Sequence, residues 1–380
     1  MSATDTVRVG LTDLRAQHAE LREELLGAFG RVLDHGQFIL GPEVDELERL
    51  WARECGVRHA VSVSDGTTAM VLVLRAMGLR PDDEVITAPN SFVSTAASVI
   101  HAGGVPRFAD VGDDHNLDPQ AVRAAITRRT HGIMPVHLYG RPANMTALRG
   151  IADEHGLFLV EDAAQAFGAR HAGSPVGSAG TAGCFSMHPL KAAGACGDAG
   201  MITTNDDALA ERLRRLRNHG ILKRQDDCAY WGHNARMDTL QAALVLVKMP
   251  FVTEWTSRRR SFAAMYRTRL EGRVGLPVDR PGDEPIYQGF PIEVDRRDEL
   301  LVHLRSAGIV AGVPYPVPIH LLEAARGLGH RSGDFPVTER LARRCVHLPI
   351  HHNLREDDIE YVCDAVKKFI ETPQPIRLSA

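Results

Sequence analysis

The chain has 380 residues, long for one domain and comfortable for two. Apolar residues make up 44% and charged residues 24%, ordinary for a folded globular protein, and a formal net charge of -4 argues against a basic surface for nucleic acid. No apolar run approaches the roughly 20 residues needed to span a bilayer, MSATDTVRVG lacks the basic start and apolar core of a signal peptide, and the six cysteines form no C-x-x-C pair, so a reduced, cytoplasmic setting without a zinc or disulfide framework is expected.

Leu14, Leu21, Leu25, Phe29 and Val32 recur at helical spacing and predict an amphipathic helix over 13–34. A second helix is predicted over 43–54, with Pro42 in its first turn and Gly56 after its end. Short apolar strands then alternate with helices. Strands are predicted at Ala60–Ser64, Val85–Thr87, Pro106–Ala109, Gly132–Val136, Leu157–Glu161, Cys184–Ser186 and Met201–Thr203, and helices at 67–78, 94–102, 145–155 and 206–217. Alternating units with near-continuous apolar strands imply an α/β fold with a buried, mostly parallel sheet. Beyond residue 250 the pattern changes. Pro250 ends a helix, a long helix covers 254–270, and Pro/Gly/Asp-rich sequence at 277–285 reads as a hinge or loop. Strands at Gln288–Glu293 and Ile309–Val313 and helices at 297–307, 336–344 and 356–371 complete a smaller α+β segment. The expected division is a large domain over 1–250 that carries the N-terminal helix, and a C-terminal domain over 251–380.

Four stretches fall just past the carboxyl ends of strands, where an open α/β sheet presents ligand groups. Ser64-Asp65-Gly66-Thr67-Thr68 joins a strand to a helix. It fits a capped turn with Ser64 or Asp65 as N-cap, or an anion cradle of small residues at a helix N-terminus. Asp162, in Glu161-Asp162-Ala163-Ala164-Gln165-Ala166, ends an apolar strand, where a carboxylate is costly unless paired. It fits a helix cap or the partner of a protonated ring nitrogen, with Gln165 a short step away. Phe185-Ser186-Met187-His188-Pro189-Leu190-Lys191 runs into the small-residue loop Ala192-Ala193-Gly194-Ala195-Cys196-Gly197. Lys191 fits a surface lysine or a cleft amine of lowered pKa, and Ser186 could bind a phosphate. Phe92, in Pro89-Asn90-Ser91-Phe92, fits the core or a ring stacked on a planar cofactor. Taken together, a phosphate cradle, a stacking ring, an acid for a ring nitrogen and a reactive lysine are what pyridoxal phosphate requires.

In this order the stretches resemble the DegT/DnrJ/EryC1/StrS family, which are sugar aminotransferases of the fold-type I pyridoxal-phosphate enzymes. The likeness begins at Gly36-Gln37-Phe38-Ile39-Leu40-Gly41-Pro42. It continues through Asp83-Glu84-Val85-Ile86-Thr87, Pro135-Val136-His137-Leu138-Tyr139-Gly140, Arg217-Asn218-His219-Gly220, Asn234-Ala235-Arg236-Met237 and Tyr315-Pro316-Val317-Pro318-Ile319-His320. The resemblance implies roles. Lys191 would be the catalytic Schiff-base lysine, Asp162 the partner of the pyridine nitrogen and Gln165 a contact of the phenolic oxygen. Phe92 would stack on the ring, and Gly66, Thr67 and Ser186 would hold the phosphate. Asn234 resembles an asparagine that reaches the phosphate of the neighbouring subunit, implying a homodimer with shared sites. His188, Tyr315 and His320 lie where the family often meets the sugar, although for a single histidine such as His320 a buried structural role is the more common explanation. The chain departs from the family at Gly197-Asp198-Ala199-Gly200, where Gly-Asp-Gly-Gly or Gly-Glu-Gly-Gly is usual, in its small residues after Lys191, and at His188-Pro189-Leu190 in place of Tyr-Pro-Ser.

The activity so implied is transfer of an amino group from glutamate or glutamine to a keto-sugar. The acceptor expected is a nucleotide-linked keto-deoxysugar of amino-sugar or antibiotic biosynthesis, and the alternatives are a keto-cyclitol or a free keto-sugar. Lys223, Arg224 and Arg236 are candidates to dock a diphosphate, or are simply solvated charges. A dehydratase of this family would carry histidine at the lysine position, and a non-catalytic regulator would have no need of Asp162, Gln165, Ser186 and Lys191 together. The chain has neither G-x-G-x-x-G after a strand nor G-x-x-x-x-G-K-[ST]. Small molecules and a second copy of the chain are the expected partners, with no nucleic acid and no membrane.

Overall fold

The structure is a computed structural model describing residues 7–221, 223 and 225–372. Its centre is a seven-stranded sheet. In chain order its strands are β1 (His59–Val63), β2 (Glu84–Thr87), β3 (Val105–Phe108), β4 (Thr130–Ile133) and β5 (Phe158–Asp162). After the short pair β6 (Arg170–His171) and β7 (Ser174–Pro175) come β8 (Ala182–Ser186) and β9 (Gly200–Thr204). The spatial order is β1-β9-β8-β5-β4-β2-β3, with every neighbouring pair parallel except those made by β9. The strands are buried almost throughout, which their runs of Val, Ile and Leu permit. The expected mostly parallel α/β architecture is therefore the one observed.

The helices leading into and covering this sheet are α1 (Leu14–Glu20), α2 (Arg22–His35), α3 (Pro42–Cys55), α4 (Gly66–Ala76), α5 (Ser94–His101), α6 (Pro119–Ala125), α7 (Met145–His155), α8 (Asp207–Leu216) and α9 (Thr239–Lys248). The stretch predicted as one helix over 13–34 is two. Leu21 (φ −108°, ψ 15°) interrupts it, because the parts serve different surfaces. Gln17 is buried in the wall of the functional cavity, whereas Ala28 and Val32 pack on Ala243 of α9.

The 19-residue helix α10 (Val252–Leu270) ties two cores together. Val252 and Trp255 join the apolar cluster around Trp51 and Phe185, while Phe262, Tyr266 and Leu270 join a separate cluster of the C-terminal segment. That second cluster also takes in Val9 from the N-terminal end. The segment contains β10 (Asp283–Glu284), β11 (Phe290–Glu293), α11 (Arg297–Ser306), α12 (Pro336–Arg344), β12 (Cys345–Leu348) and α13 (Glu356–Glu371). The strand predicted at Ile309–Val313 is not formed. That stretch makes only isolated bridges, Ile309 to Val9 and Gly312 to His347. The antiparallel partner of β11 is instead β12, from four residues, Cys345-Val346-His347-Leu348, too few to show a period. The stretch at 277–285 is fastened to the large sheet's loops, Asp283–Glu284 pairing with Arg170–His171 and the Val278 carbonyl accepting from Arg141 at 2.9 Å.

Candidate active site

The carboxyl ends of β1, β2, β5 and β8 lie on one edge of the sheet, and antiparallel β9 begins there, so that Gly200 pairs with both Val63 and Ser186. A Cβ on Gly200 would stand 2.5 Å from the Asp65 backbone, and one on Gly66 would stand 2.8 Å from the Ser186 Cβ. Only glycine permits this three-way approach, in which the start of α4 meets the ends of two strands. Asp65 is the N-cap, its Oδ1 accepting from the Thr68 amide at 2.8 Å, and Ser64 is not. The first N–H groups of a helix have no intrahelical acceptor. Those of Gly66 and Thr67 are therefore donors for an anion, and the Thr67 hydroxyl is held on Ser94 at 2.9 Å.

This edge opens into a cavity of about 660 Å³. Gly66, Thr67, Phe92, Asp162, Gln165, Ser186, His188, Lys191 and Tyr315 all line it. Asp162 is 3% exposed, with Oδ2 accepting from Thr95 at 2.8 Å and Oδ1 from the Ala164 amide at 3.2 Å. Burial pushes its carboxyl up, against the lowering effect of these donors and of the Lys191 charge. Its neighbour Glu161 is in the opposite situation. Burial raises it too, but His137 and the amides of Gly177 and Gly180 outweigh that and hold it below the usual carboxylate range. Successive strand residues face opposite sides, so one carboxylate is fully satisfied inside the protein and the other is presented to the cavity.

Lys191 sits in the turn after β8, its amide donating to the His188 carbonyl at 2.8 Å. Burial pushes its amine below the ordinary lysine value, with the Asp162 charge opposing the shift. Gln165 accepts from the Tyr139 amide at 2.8 Å and donates to the Tyr315 hydroxyl at 2.8 Å. Burial pushes that hydroxyl up to about 12. Tyr139 has φ 58°, an uncommon conformation for a bulky residue, held here by Gln165 and by the turn into Gly140. Phe92 is 58% exposed at the cavity lining, and Ser186 accepts from the His188 amide at 3.2 Å.

Two expected site residues are elsewhere. His320 does not line the cavity. Its ring is buried against Phe335, and its Nε2 meets Glu339 at 3.2 Å, so in this fold it braces the C-terminal segment. Asn234 is exposed outside its own chain's cavity, in a bridge with Asn218 and next to Ala235, whose carbonyl accepts from Ser64. Of the candidate docking cations, Lys223 and Arg236 are also outside the cavity lining, Arg236 donating to Asn218, and Arg224 lies outside the described residues.

Thr95, Tyr139, Gln288, Arg259, His347 and His352 also line the cavity and were not anticipated. Tyr139 lies within Pro135–Gly140, a stretch recognised in the sequence without a role for it. Of the others, Thr95, Arg259 and His347 come from helices and a strand and Gln288 and His352 from loops, with no local signal. A larger cleft of about 1060 Å³, between α3, α9 and α10, contains none of the predicted residues.

The model of the DegT/DnrJ/EryC1/StrS aminotransferase family matches residues 19–367. The chain is 42% identical over 373 residues to the dTDP-3-amino-3,4,6-trideoxy-alpha-D-glucose transaminase of Streptomyces venezuelae, covering 97% of this chain and 98% of that one. Among solved structures, that of S. venezuelae DesV in complex with a ketimine intermediate superposes with a TM-score of 0.94 at 42% identity, over 97% of this chain and 100% of that chain. NtdA of Bacillus subtilis, solved with bound cofactor PMP, gives a TM-score of 0.86 at 30% identity, over 93% and 82% of the two chains.

Proposed function

The chain belongs to the DegT/DnrJ/EryC1/StrS aminotransferase family, and from that premise we propose that it uses pyridoxal 5'-phosphate to move an amino group from glutamate or glutamine to a nucleotide-linked keto-sugar. The observation that carries this reading is the convergence of Asp162, Lys191 and the Gly66–Ser186–Gly200 cradle on one cavity. The donor set suits the group. The cradle offers helix N–H groups and hydroxyls to a phosphate, and Asp162 is a buried carboxylate with only two donors, matched to a protonated ring nitrogen. When bound, the cofactor supplies a carbonyl carbon that accepts an amino group and a cationic ring that draws electrons from it.

The chain's own residues do the rest. Burial of Lys191 favours the neutral amine, the form that attacks a carbonyl and that can take and return a proton at Nζ. Asp162 would keep the ring nitrogen protonated, with Thr95 donating to its Oδ2 to hold the carboxylate. Gln165, locked between Tyr139 and Tyr315, presents its remaining amide hydrogen to the site. Phe92 would stack on the cofactor ring, and His188 and Tyr315, in the same lining, would border the acceptor. The dTDP-sugar chemistry of the S. venezuelae relative supports a nucleotide-linked acceptor.

A homodimer completes the reading, with Asn234 serving the partner's phosphate cradle, and the enzyme acts in the cytoplasm. No helix among the described residues is long and apolar enough to cross a membrane. The division that goes with this reading is a large domain over 1–250 and a smaller C-terminal domain over 251–380, supported by the separate apolar cluster that Phe262, Tyr266 and Leu270 join.

The test is spectroscopic. Protein loaded with cofactor is expected to absorb in the visible-violet range and to bleach on addition of glutamate or glutamine. Lys191→Ala is expected to lose that band and all multiple-turnover transamination. Sustained turnover by the variant would refute the role of Lys191.

A further inference from the structure

The cavity wall opposite in chain order to the cradle carries a guanidinium with no counter-charge. Arg259, on α10, is 6% exposed and lines the same cavity as Lys191. Its only side-chain hydrogen bond is to Thr256 Oγ1 in its own helix, at 3.4 Å, and its Nε has no partner among the described residues. Among the described residues no carboxylate forms an ion pair with it, and the neighbouring charge of Arg260 is a like charge. Burial brings its guanidinium down to about 10.

Its surroundings are of the same kind. His352 lines the cavity beside it, stacked on Trp255 with centroids 4.3 Å apart, and its buried Nε2 has no partner among the described residues. Burial first, then the charges of Arg259, His351 and Arg258, push its ring down to about 3. Asp13, an acid of the same lining, caps α1 through its Oδ1, and its charge acts on His351 rather than Arg259. Arg258 is spent on the Leu354 carbonyl at 3.1 Å.

A buried charge is costly unless something compensates it, and nothing within the described protein does. We propose that Arg259, with His352, forms an oxyanion subsite of the cavity that receives a carboxylate or phosphoryl group of a substrate. A guanidinium suits either, since its planar fork pairs with two oxygens at once. The two sources are the donor's carboxylates and the acceptor's diphosphate. Choosing between them rests on the transaminase reading above, while the existence of the subsite does not.

The experiment uses cofactor-loaded wild type and Arg259→Met, with glutarate and inorganic pyrophosphate as unreactive probes and melting temperature as readout. One probe is expected to raise the wild-type melting temperature, and the variant is expected to lose that rise while melting, without probe, at or above the wild type. Stabilisation by glutarate assigns the subsite to the donor. In that case the KM for glutamate rises roughly thirtyfold or more in Arg259→Met, with the acceptor KM unchanged. Stabilisation by pyrophosphate assigns it to the acceptor, with the reverse split. If Arg259→Met does not fold, Arg259→Gln serves, and Arg259→Lys is expected to restore part of the response. A wild type indifferent to both probes, or a variant that responds as fully as the wild type, overturns the proposal. Failure of every amino donor to bleach the enzyme would instead count against the transaminase reading and leave the anion titration standing.

Discussion

At the scale of single residues, the pair Glu161–Asp162 shows how position on a strand decides chemistry. Both carboxylates are buried, yet one is saturated by His137 and three amides and the other by two donors only. Asp162 is therefore less fully satisfied by the fold than Glu161 is. Its carboxyl is raised in the folded protein above the unfolded value of about 3.9. The folded state thus holds the proton more tightly than the unfolded chain. Its favourable contribution is complete below about pH 3.9 and is lost as pH rises through the folded value. Asp162→Asn is accordingly expected to melt higher than wild type in cofactor-free protein at pH 7, with the gap closing toward pH 4, while transamination falls by orders of magnitude. Melting curves across pH with parallel kinetics test this. A variant less stable than the cofactor-free wild type at neutral pH would contradict the assignment. Sequence alone marked Asp162 as costly, but it did not distinguish Glu161, because the donors that satisfy Glu161 come from residues 137 and 177–180 and meet it only through folding.

At the scale of elements, the C-terminal segment is tied to the sheet by caps that no local pattern reveals. The start of α12 has no cap from its own chain neighbours, and Asp110, in the loop after β3, accepts from the amides of Val337 and Thr338 at 2.9 and 3.0 Å and from the Thr338 hydroxyl at 2.8 Å. Asp110→Ala is expected to cost about 1–2 kcal/mol, as loss of an N-cap does, measured by urea unfolding, with the cavity residues Lys191 and Asp162 untouched. A change within error would mean that α12 is held by its apolar contacts alone. Element identities in the large sheet were legible because its short apolar strands alternate with helical stretches. The misreadings fall where that signal fails. Leu21 breaks a helix whose spacing continues across the break, and β12 takes its place beside β11 while the more apolar Ile309–Val313 does not.

At the scale of the whole molecule, α2 is apolar on two sides. Leu25, Ala28 and Val32 are buried within the chain, and Leu26, Phe29 and Leu33 are 53%, 41% and 53% exposed along another face. Contiguous exposed apolar surface marks an interaction site, which accords with the proposed homodimer. Phe29→Asp combined with Leu33→Asp is expected to shift sedimentation from dimer toward monomer and to reduce activity, since Asn234 would no longer reach a partner's cradle. A dimer of undiminished stability would move the interface elsewhere. The sequence by itself determined the alternating α/β plan, the order of the cradle, Asp162 and Lys191 along the chain, and the family, because these are properties of neighbours in sequence. Tertiary structure alone decided that Gly200 closes the cradle, that His320 braces the C-terminal segment instead of the cavity, and that Arg259 reaches the site from α10 without a counter-charge. Each of those depends on which distant segments the sheet and α10 bring together, and packing between remote residues leaves no period or motif in the chain.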